Sequence, residues 1–106
     1  MPTVTHHKLV RDRIPEIIEE SGRRCHAEIL TPEAYLIMLD RKLDEELAEY
    51  QESKSMEELA DLLEVIRAVA LARGSSMEEV EKIRREKAEN RGGFEKRILL
   101  REVSDE

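Results

Sequence analysis

The stretch EELADLLEVIRAVALA, residues 57–72, predicts a helix that is apolar around most of its circumference. A helix of this kind is expected to be buried. Acidic residues nevertheless recur at every third position along its first half, at Glu58, Asp61 and Glu64. An ionised carboxylate that leaves water needs a cation or several hydrogen-bond donors beside it. The stretch therefore predicts a helical fold together with positive or hydrogen-bonding partners for these acids.

The preceding stretch TPEAYLIMLDRKLDEELAEYQE, residues 31–52, predicts a second long helix. Thr31 is expected to cap its N-terminus and Pro32 suits its first helical position. Apolar residues at helical spacing form one stripe: Leu36, Leu39, Leu43, Leu47 and Tyr50. The short break SKS at residues 53–55 predicts that the two helices are antiparallel neighbours.

Serine–glutamate pairs mark the starts of two helices. Ser55 with Glu58 and Ser76 with Glu79 have the spacing of a capping box, in which each residue's side chain bonds the other's backbone amide. Gly74 is expected to end the helix over residues 57–72 in a left-handed conformation. The sequence thus predicts a further helix that begins after Ser76.

The chain's ends complete the predicted architecture. RIPEIIEES, residues 13–21, is expected to form a short helix closed by Gly22, and the helix after Ser76 should end before Gly92. RCHAEIL, residues 24–30, and KRILLREV, residues 96–103, alternate in part and are expected to pair as two short strands. We predict an all-α bundle of about four helices in one domain, residues 1–106, with this short terminal pairing.

Composition limits the size of the core and the kind of partner. At 106 residues with 3 % aromatics, one chain has little apolar material to bury, and short bundles often complete their core by dimerising. We therefore expect a homodimer or a larger homo-oligomer. A net charge of −7 argues against a nucleic-acid polymer as partner, but it permits a small phosphate ligand if a metal cation separates the acids from the phosphates.

The cellular setting is predicted from cysteine content and hydropathy. The single cysteine, Cys25, excludes an internal disulfide and fits a reducing cytoplasm. No apolar run approaches the roughly 20 residues that a membrane helix needs. We expect a cytoplasmic protein with no membrane partner.

Helical spacing brings the acids of the two long helices together. Glu46 and Glu49 share one face of the first helix, Glu58 and Asp61 share one face of the second, and the short connection places both pairs near one end. Several of these acids could instead be solvated. Lys42 is placed to pair with Glu46, and Glu58 could serve only in its capping box.

Asp61 is the least expected of these acids, because Asp is a poor mid-helix residue. Helical geometry also places it on nearly the same side of the helix as the apolar Val65. Four converging carboxylates need positive charge between them. Lys or Arg could supply it, but Mg²⁺ fits better because it prefers oxygen ligands and accepts several carboxylates.

These motifs resemble those of the all-α nucleotide pyrophosphohydrolases, the MazG superfamily. EELAE at residues 45–49 followed by EELAD at residues 57–61 is similar to its E-E-x-x-E … E-x-x-D signature. Residues 57–80, EELADLLEVIRAVALARGSSMEEV, also resemble phosphoribosyl-ATP pyrophosphohydrolase. KLVRDRIPEII at residues 8–18 and KAENRGGFEKRILL at residues 87–100 resemble a branch of small house-cleaning pyrophosphatases.

The resemblance implies hydrolysis of a nucleoside triphosphate between its α- and β-phosphates, dependent on Mg²⁺ with Mn²⁺ as a substitute. The implied metal ligands are Glu46, Glu49, Glu58 and Asp61. Glu45 would orient water, and Glu45 or Glu49 would act in catalysis. The implied substrate-binding residues are Lys42, Lys87, Asn90, Arg91, Lys8 and Arg11. Arg11 could instead pair with the helix acids.

Two other functions remain open from the sequence. Within the same reaction class, the alternative is the phosphoribosyl-ATP pyrophosphohydrolase of histidine biosynthesis. From a different class, the alternative is a non-catalytic helical binding module whose acids are solvated or pair with a partner protein. Stabilisation by metal separates the binding module from both enzymes.

Overall fold

The computed structural model describes residue 3 and residues 6–105, and the regular secondary structure in this part of the chain is all helical. The helices are α1 (Ile14–Glu20), α2 (Pro32–Ser53), α3 (Met56–Ala72) and α4 (Met77–Arg91). The predicted all-α fold with about four helices is therefore confirmed.

The N-termini of the three long helices begin where the sequence predicts. A side-chain hydroxyl accepts a hydrogen bond from the backbone amide three residues later in each case. The pairs are Thr31 with Ala34 at 3.2 Å, Ser55 with Glu58 at 3.2 Å and Ser76 with Glu79 at 3.1 Å. Each bond satisfies one of the amides that a helix start leaves without a partner.

The C-terminus of α3 is closed by a glycine. Gly74 has φ +84°, and its amide donates to the carbonyl of Leu71 at 3.1 Å. The amide of Ser75 donates to the carbonyl of Ala70 at 2.8 Å. These two bonds form a Schellman motif, which requires a residue that accepts a positive φ. The predicted role of Gly74 is confirmed.

The core lies between the long helices and is small. α2 packs along α3, and α3 also contacts α4, whereas α1 packs against none of them. The buried apolar residues of the described chain are Leu39, Val65 and Ala70. The radius of gyration is 18.9 Å, compared with about 13 Å for a compact domain of this length. A single chain therefore encloses little of its apolar surface.

α3 is less buried than its sequence predicts. Its apolar residues turned away from α2 and α4 remain in contact with solvent, and Leu63 is 52 % exposed. The same holds for Leu47 of the predicted α2 stripe. A single chain therefore does not complete the predicted burial of α3, because the two packed neighbours cover only part of its circumference.

The terminal strand pairing is also wrong. Residues 24–30 and 96–103 contain no strand, and Ile29 is fully exposed. Arg97 has φ +57°, which interrupts an extended conformation. An isolated two-stranded ribbon is only marginally stable in water. None of the helices in residues 6–105 combines the length and apolar character that crossing a membrane requires.

Candidate metal centre

An acidic cluster forms where the end of α2 meets the start of α3. Glu46 of α2 and Glu58 and Asp61 of α3 each direct a carboxylate oxygen to one place, and these oxygens lie within 4.8 Å of one another. The short connection between α2 and α3 causes this convergence, because it brings the last turns of one helix beside the first turns of the next. The predicted convergence is confirmed for these three acids, whereas Glu49, the fourth predicted member, is not part of the group.

Two oxygens of the cluster are buried without a partner. The side chain of Glu46 is 9 % exposed. Its Oε2 atom, and the Oε2 atom of Glu58, make no hydrogen bond. A buried polar atom without a partner costs free energy, and a bound ion is one arrangement that would satisfy it.

The capping box at the start of α3 forms only in part, and this bears on Glu58. Ser55 caps the helix as predicted, but its own backbone amide donates to the hydroxyl of Ser53 at 3.2 Å. In a complete capping box that amide would bind the side chain of Glu58. Glu58 is therefore available to the cluster, and the interpretation of this residue as only a capping partner is wrong.

The cluster raises the pKa of Glu46 above its ordinary value. Burial of the carboxyl is the largest cause, followed by the charge of the nearby Glu49. Lys42 acts in the opposite direction and lowers the pKa. Desolvation and like charge thus outweigh the lysine.

The pKa of Glu58 is raised by the same kinds of interaction. Desolvation is again the first cause, and the charges of Glu49 and Asp61 follow. The charge of Glu46 adds to the increase. All of these interactions oppose ionisation of Glu58, so a cation placed at the cluster would relieve them.

Lys42 provides positive charge on the α2 side of the cluster. Its ammonium nitrogen lies 3.4 Å from Oε1 of Glu46 and 3.8 Å from Oε1 of Glu45, and its side chain is 17 % exposed. The Lys42–Glu46 pair that helical spacing permits is confirmed. The lysine contacts Oε1 of Glu46, while Oε2 remains without a partner.

Arg11 provides positive charge on the α3 side. Its Nη2 atom donates to Oδ1 of Asp61 at 2.7 Å, and the two side chains are 59 % and 41 % exposed. The sequence left open whether Arg11 binds phosphate or pairs with a helix acid, and the structure shows the pair. Fifty positions separate the two residues, so no helical periodicity could have identified this contact.

The other predicted residues lie outside the three-carboxylate cluster. Glu49 is exposed, but it is close enough to influence both Glu46 and Glu58. Glu64 pairs with Arg67 at 3.7 Å, because the second step of three residues along α3 rotates it away from Glu58. The phosphate candidates Lys8, Lys87, Asn90 and Arg91 are exposed, and no described hydrogen bond or ion pair connects them to the cluster.

The residues of the cluster fit a hard divalent cation. All of the donors are carboxylate oxygens, which Mg²⁺ and Mn²⁺ prefer. The buried oxygens of Glu46 and Glu58 make no hydrogen bond in the described chain and could serve as two ligand atoms. Asp61 supplies a third oxygen at the same place.

Comparisons with known proteins add one relative. A protein from Mycolicibacterium smegmatis, described as uncharacterized, is 55 % identical over 42 residues, which is 40 % of this chain and 43 % of the relative. The similarity thus spans less than half of either protein. No family model matches the chain. No solved structure matches it.

Proposed function

We propose that this protein is a Mg²⁺-dependent nucleoside triphosphate pyrophosphohydrolase, with Mn²⁺ as a substitute metal. It would cleave the bond between the α- and β-phosphates and release a nucleoside monophosphate and pyrophosphate. The observation that carries the proposal is the pair of buried, unpartnered oxygens on Glu46 and Glu58, which converge with a carboxylate oxygen of Asp61. The similarity of the two acidic motifs to the MazG signature supports the choice of reaction.

The cluster would hold the metal through Glu46, Glu58 and Asp61, with Glu49 as a fourth ligand. Bound metal supplies positive charge to the phosphate oxygens, which phosphoanhydride cleavage requires. Glu49 is exposed and adjoins the two glutamates. Its exposure would let it contact the attacking water.

Glu45 and Glu49 are the proposed catalytic residues. A carboxylate next to the metal can accept a proton from water, and Glu49 has the exposure that access to water requires. Glu45 lies on the same side of α2 as Lys42, which contacts it at 3.8 Å. This contact would fix the glutamate in position to orient the water.

The proposed phosphate contacts come from several parts of the chain. Lys87, Asn90 and Arg91 are exposed on α4, which contacts α3. Lys8 is exposed ahead of α1. Cationic and amide side chains of this kind bind phosphate oxygens. The similarity of KAENR and KLVRD to the family motifs supports these assignments.

We propose a homodimer or larger homo-oligomer as the working form. Support comes from Leu47, Leu63 and Leu71, which are about half exposed, and from the extended shape of the single chain. A second copy that covers these residues would bury apolar surface that one chain leaves in water. It would also bring phosphate-binding residues of one subunit near the acids of another.

The proposed substrates are non-standard nucleotides, and the proposed setting is the cytoplasm. Residues 8–18 and 87–100 support this house-cleaning role by their resemblance to small pyrophosphatases of that kind. Phosphoribosyl-ATP is the alternative substrate. The fit of the lone Cys25 to a reducing compartment supports the cytoplasm.

A second candidate is a non-catalytic helical binding module. The observation in its favour is that Arg11 and Lys42 already pair with Asp61 and Glu46. These contacts could make the acids part of a scaffold. The orphaned oxygens of Glu46 and Glu58 favour the metal centre, since the two cations leave them without a partner.

Product analysis tests the proposed reaction. Purified protein is incubated with Mg²⁺ and a panel of standard, modified and damaged nucleoside triphosphates and phosphoribosyl-ATP, and the products are separated by chromatography. We expect monophosphate and pyrophosphate in equal amounts, and no product in the presence of chelator. Release of orthophosphate and diphosphate would show that the cleavage position is wrong. Absence of turnover together with absence of metal-dependent stabilisation would favour a binding module.

A further inference from the structure

We propose that Arg11 is a resident counter-ion of the acidic cluster, and that a divalent cation displaces it. Displacement would release residues 6–20 from the α2–α3 pair, so that occupancy of the metal site controls the mobility of the N-terminal segment. The inference rests on the metal-binding part of the proposed function and requires no catalysis.

The guanidinium of Arg11 lies beside the acidic cluster. Nη2 of Arg11 lies 2.7 Å from Oδ1 of Asp61, and a carboxylate oxygen of Asp61 lies within 4.8 Å of oxygens from Glu46 and Glu58. A cation that binds these three acids would therefore be close to the guanidinium. Because both are positive, they compete for the same carboxylate.

The ion pair between Arg11 and Asp61 is weak because it is exposed to solvent. The side chains of Arg11 and Asp61 are 59 % and 41 % exposed. Exposed ion pairs contribute little to stability, because water and salt screen them. Lys42 differs, since its side chain is mostly buried and it pairs with Glu46 within one helix. Arg11 is thus the cation that metal would displace first.

The Arg11–Asp61 ion pair holds the N-terminal segment against the long helices. Among the described hydrogen bonds and ion pairs, the Arg11–Asp61 contact is the one that connects residues 6–30 to the long helices. α1 packs against none of these helices. The carbonyl of Arg11 also accepts from the amide of Ile14 at 3.0 Å, at the first residue of α1. Loss of the side-chain contact would therefore loosen α1 and the segment before it.

Two substitutions separate this contact from a general effect of charge. Arg11→Gln removes the guanidinium that binds Asp61. Arg13→Gln removes the same charge two residues later, where the side chain pairs with Glu16 of α1 at 3.3 Å. Arg13 does not contact the acidic cluster, so it is the matched control.

Calorimetric titration with Mg²⁺ alone measures the competition. We expect Arg11→Gln to bind Mg²⁺ about two- to fivefold more tightly than Arg13→Gln, the range that corresponds to an exposed ion pair. Equal or weaker binding by Arg11→Gln, with metal still bound by both variants, would overturn the proposal and leave the metal centre intact. If neither variant nor the parent protein binds Mg²⁺, the metal centre fails and this inference fails with it.

Hydrogen exchange measures release of the segment. In the parent protein and in Arg13→Gln, Mg²⁺ should accelerate exchange of the amides of α1. In Arg11→Gln, exchange should already be fast in chelator and should change little with metal. Slower exchange of α1 in the parent protein when Mg²⁺ binds would overturn the proposal, because the segment would then be tightened by the metal.

Discussion

Glu46 on α2 and Glu58 on α3 each bury an Oε2 atom that makes no hydrogen bond, and their ligand oxygens lie within 4.8 Å of each other. Burial and neighbouring acids raise the pKa of both residues. The metal-free protein therefore holds carboxylates whose ionisation is unfavourable in the native state. Either protons or a cation would relieve this repulsion, and the two should compete for the site.

The raised pKa values predict how the stability of the metal-free protein depends on pH. A carboxyl whose pKa is higher in the folded than in the unfolded state binds its proton more tightly when folded. Glu46 therefore adds to the free energy of unfolding below pH 4.5, the ordinary pKa of a glutamate. This contribution is lost as the pH rises through the raised pKa of Glu46. Glu46→Gln should remove this loss, so the variant should gain stability relative to the parent protein as pH increases. Urea unfolding in chelator from pH 4 to pH 8 measures the difference.

Glu64→Gln is the matched control for the pH experiment. Glu64 is about half exposed and pairs with Arg67 on α3, so its removal should leave the pH dependence close to that of the parent protein. Packing changes caused by Glu46→Gln are independent of pH and shift the whole curve. A constant difference between Glu46→Gln and the parent protein at all pH values would contradict the prediction.

Activity should depend on Glu58 more than on other acids of α3. If Glu58 is a metal ligand, Glu58→Gln should lower kcat/KM by at least about 100-fold, since even residues that only orient a metal ligand often contribute 10- to 100-fold. Glu64→Gln should retain activity near that of the parent protein. Steady-state pyrophosphate release at saturating Mg²⁺ provides the measurement. Similar activity of the two variants would remove Glu58 from the site.

Helix boundaries were predictable because their signals are local. The hydroxyls of Thr31, Ser55 and Ser76 each bond an amide three residues away, and Gly74 takes the positive φ that ends α3. These contacts depend on a few adjacent residues, so the sequence determines them directly. The convergence of the acids followed from the same local rules.

Features that depend on distant or absent surfaces were predictable only in part: pairing of Arg11 with the helix acids was one of two alternatives, and the sequence did not select it or identify Asp61 as the partner. The Arg11–Asp61 pair joins segments fifty positions apart. The partial capping box depends on Ser53 as a competing acceptor for the amide of Ser55. The apolar pattern of residues 57–72 indicates surface that is to be covered, but it does not show whether the same chain or another copy covers it.

The exposed apolar residues predict self-association. Leu63 is 52 % exposed at the middle of α3. Light scattering at micromolar concentration should report a dimer or larger species for the parent protein. Leu63→Glu should shift it toward monomer, because a buried charge without a partner is unfavourable at an interface. Gln51→Glu adds the same charge at an exposed polar position of α2 and should leave the assembly intact.

The self-association experiment also needs a check on folding. Far-ultraviolet circular dichroism should show that Leu63→Glu retains the helical content of the parent protein. A parent protein that is monomeric at these concentrations would contradict the predicted oligomer. It would also exclude an active site shared between subunits under those conditions.

Asp61→Asn tests whether Asp61 binds metal or only anchors Arg11. Its ion pair with Arg11 is exposed, so loss of the pair in chelator should cost about 1 kcal/mol or less. The stabilisation by added Mg²⁺ should decrease, because a ligand that binds only the native state stabilises it according to its affinity. Melting curves of the parent protein and the variant in chelator and in millimolar Mg²⁺ give both quantities.

Asp40→Asn is the matched control for this last experiment. Asp40 pairs with Arg73 at 3.1 Å, and both side chains are 54 % exposed. Its removal therefore deletes a comparable ion pair on α2 without changing the acidic cluster. Both variants should melt near the parent protein in chelator, but Asp40→Asn alone should keep the full increase in Tm with Mg²⁺. An unchanged Mg²⁺ response in Asp61→Asn, with a large loss of stability in chelator, would falsify its assignment as a metal ligand, because Asp61 would then act through the fold.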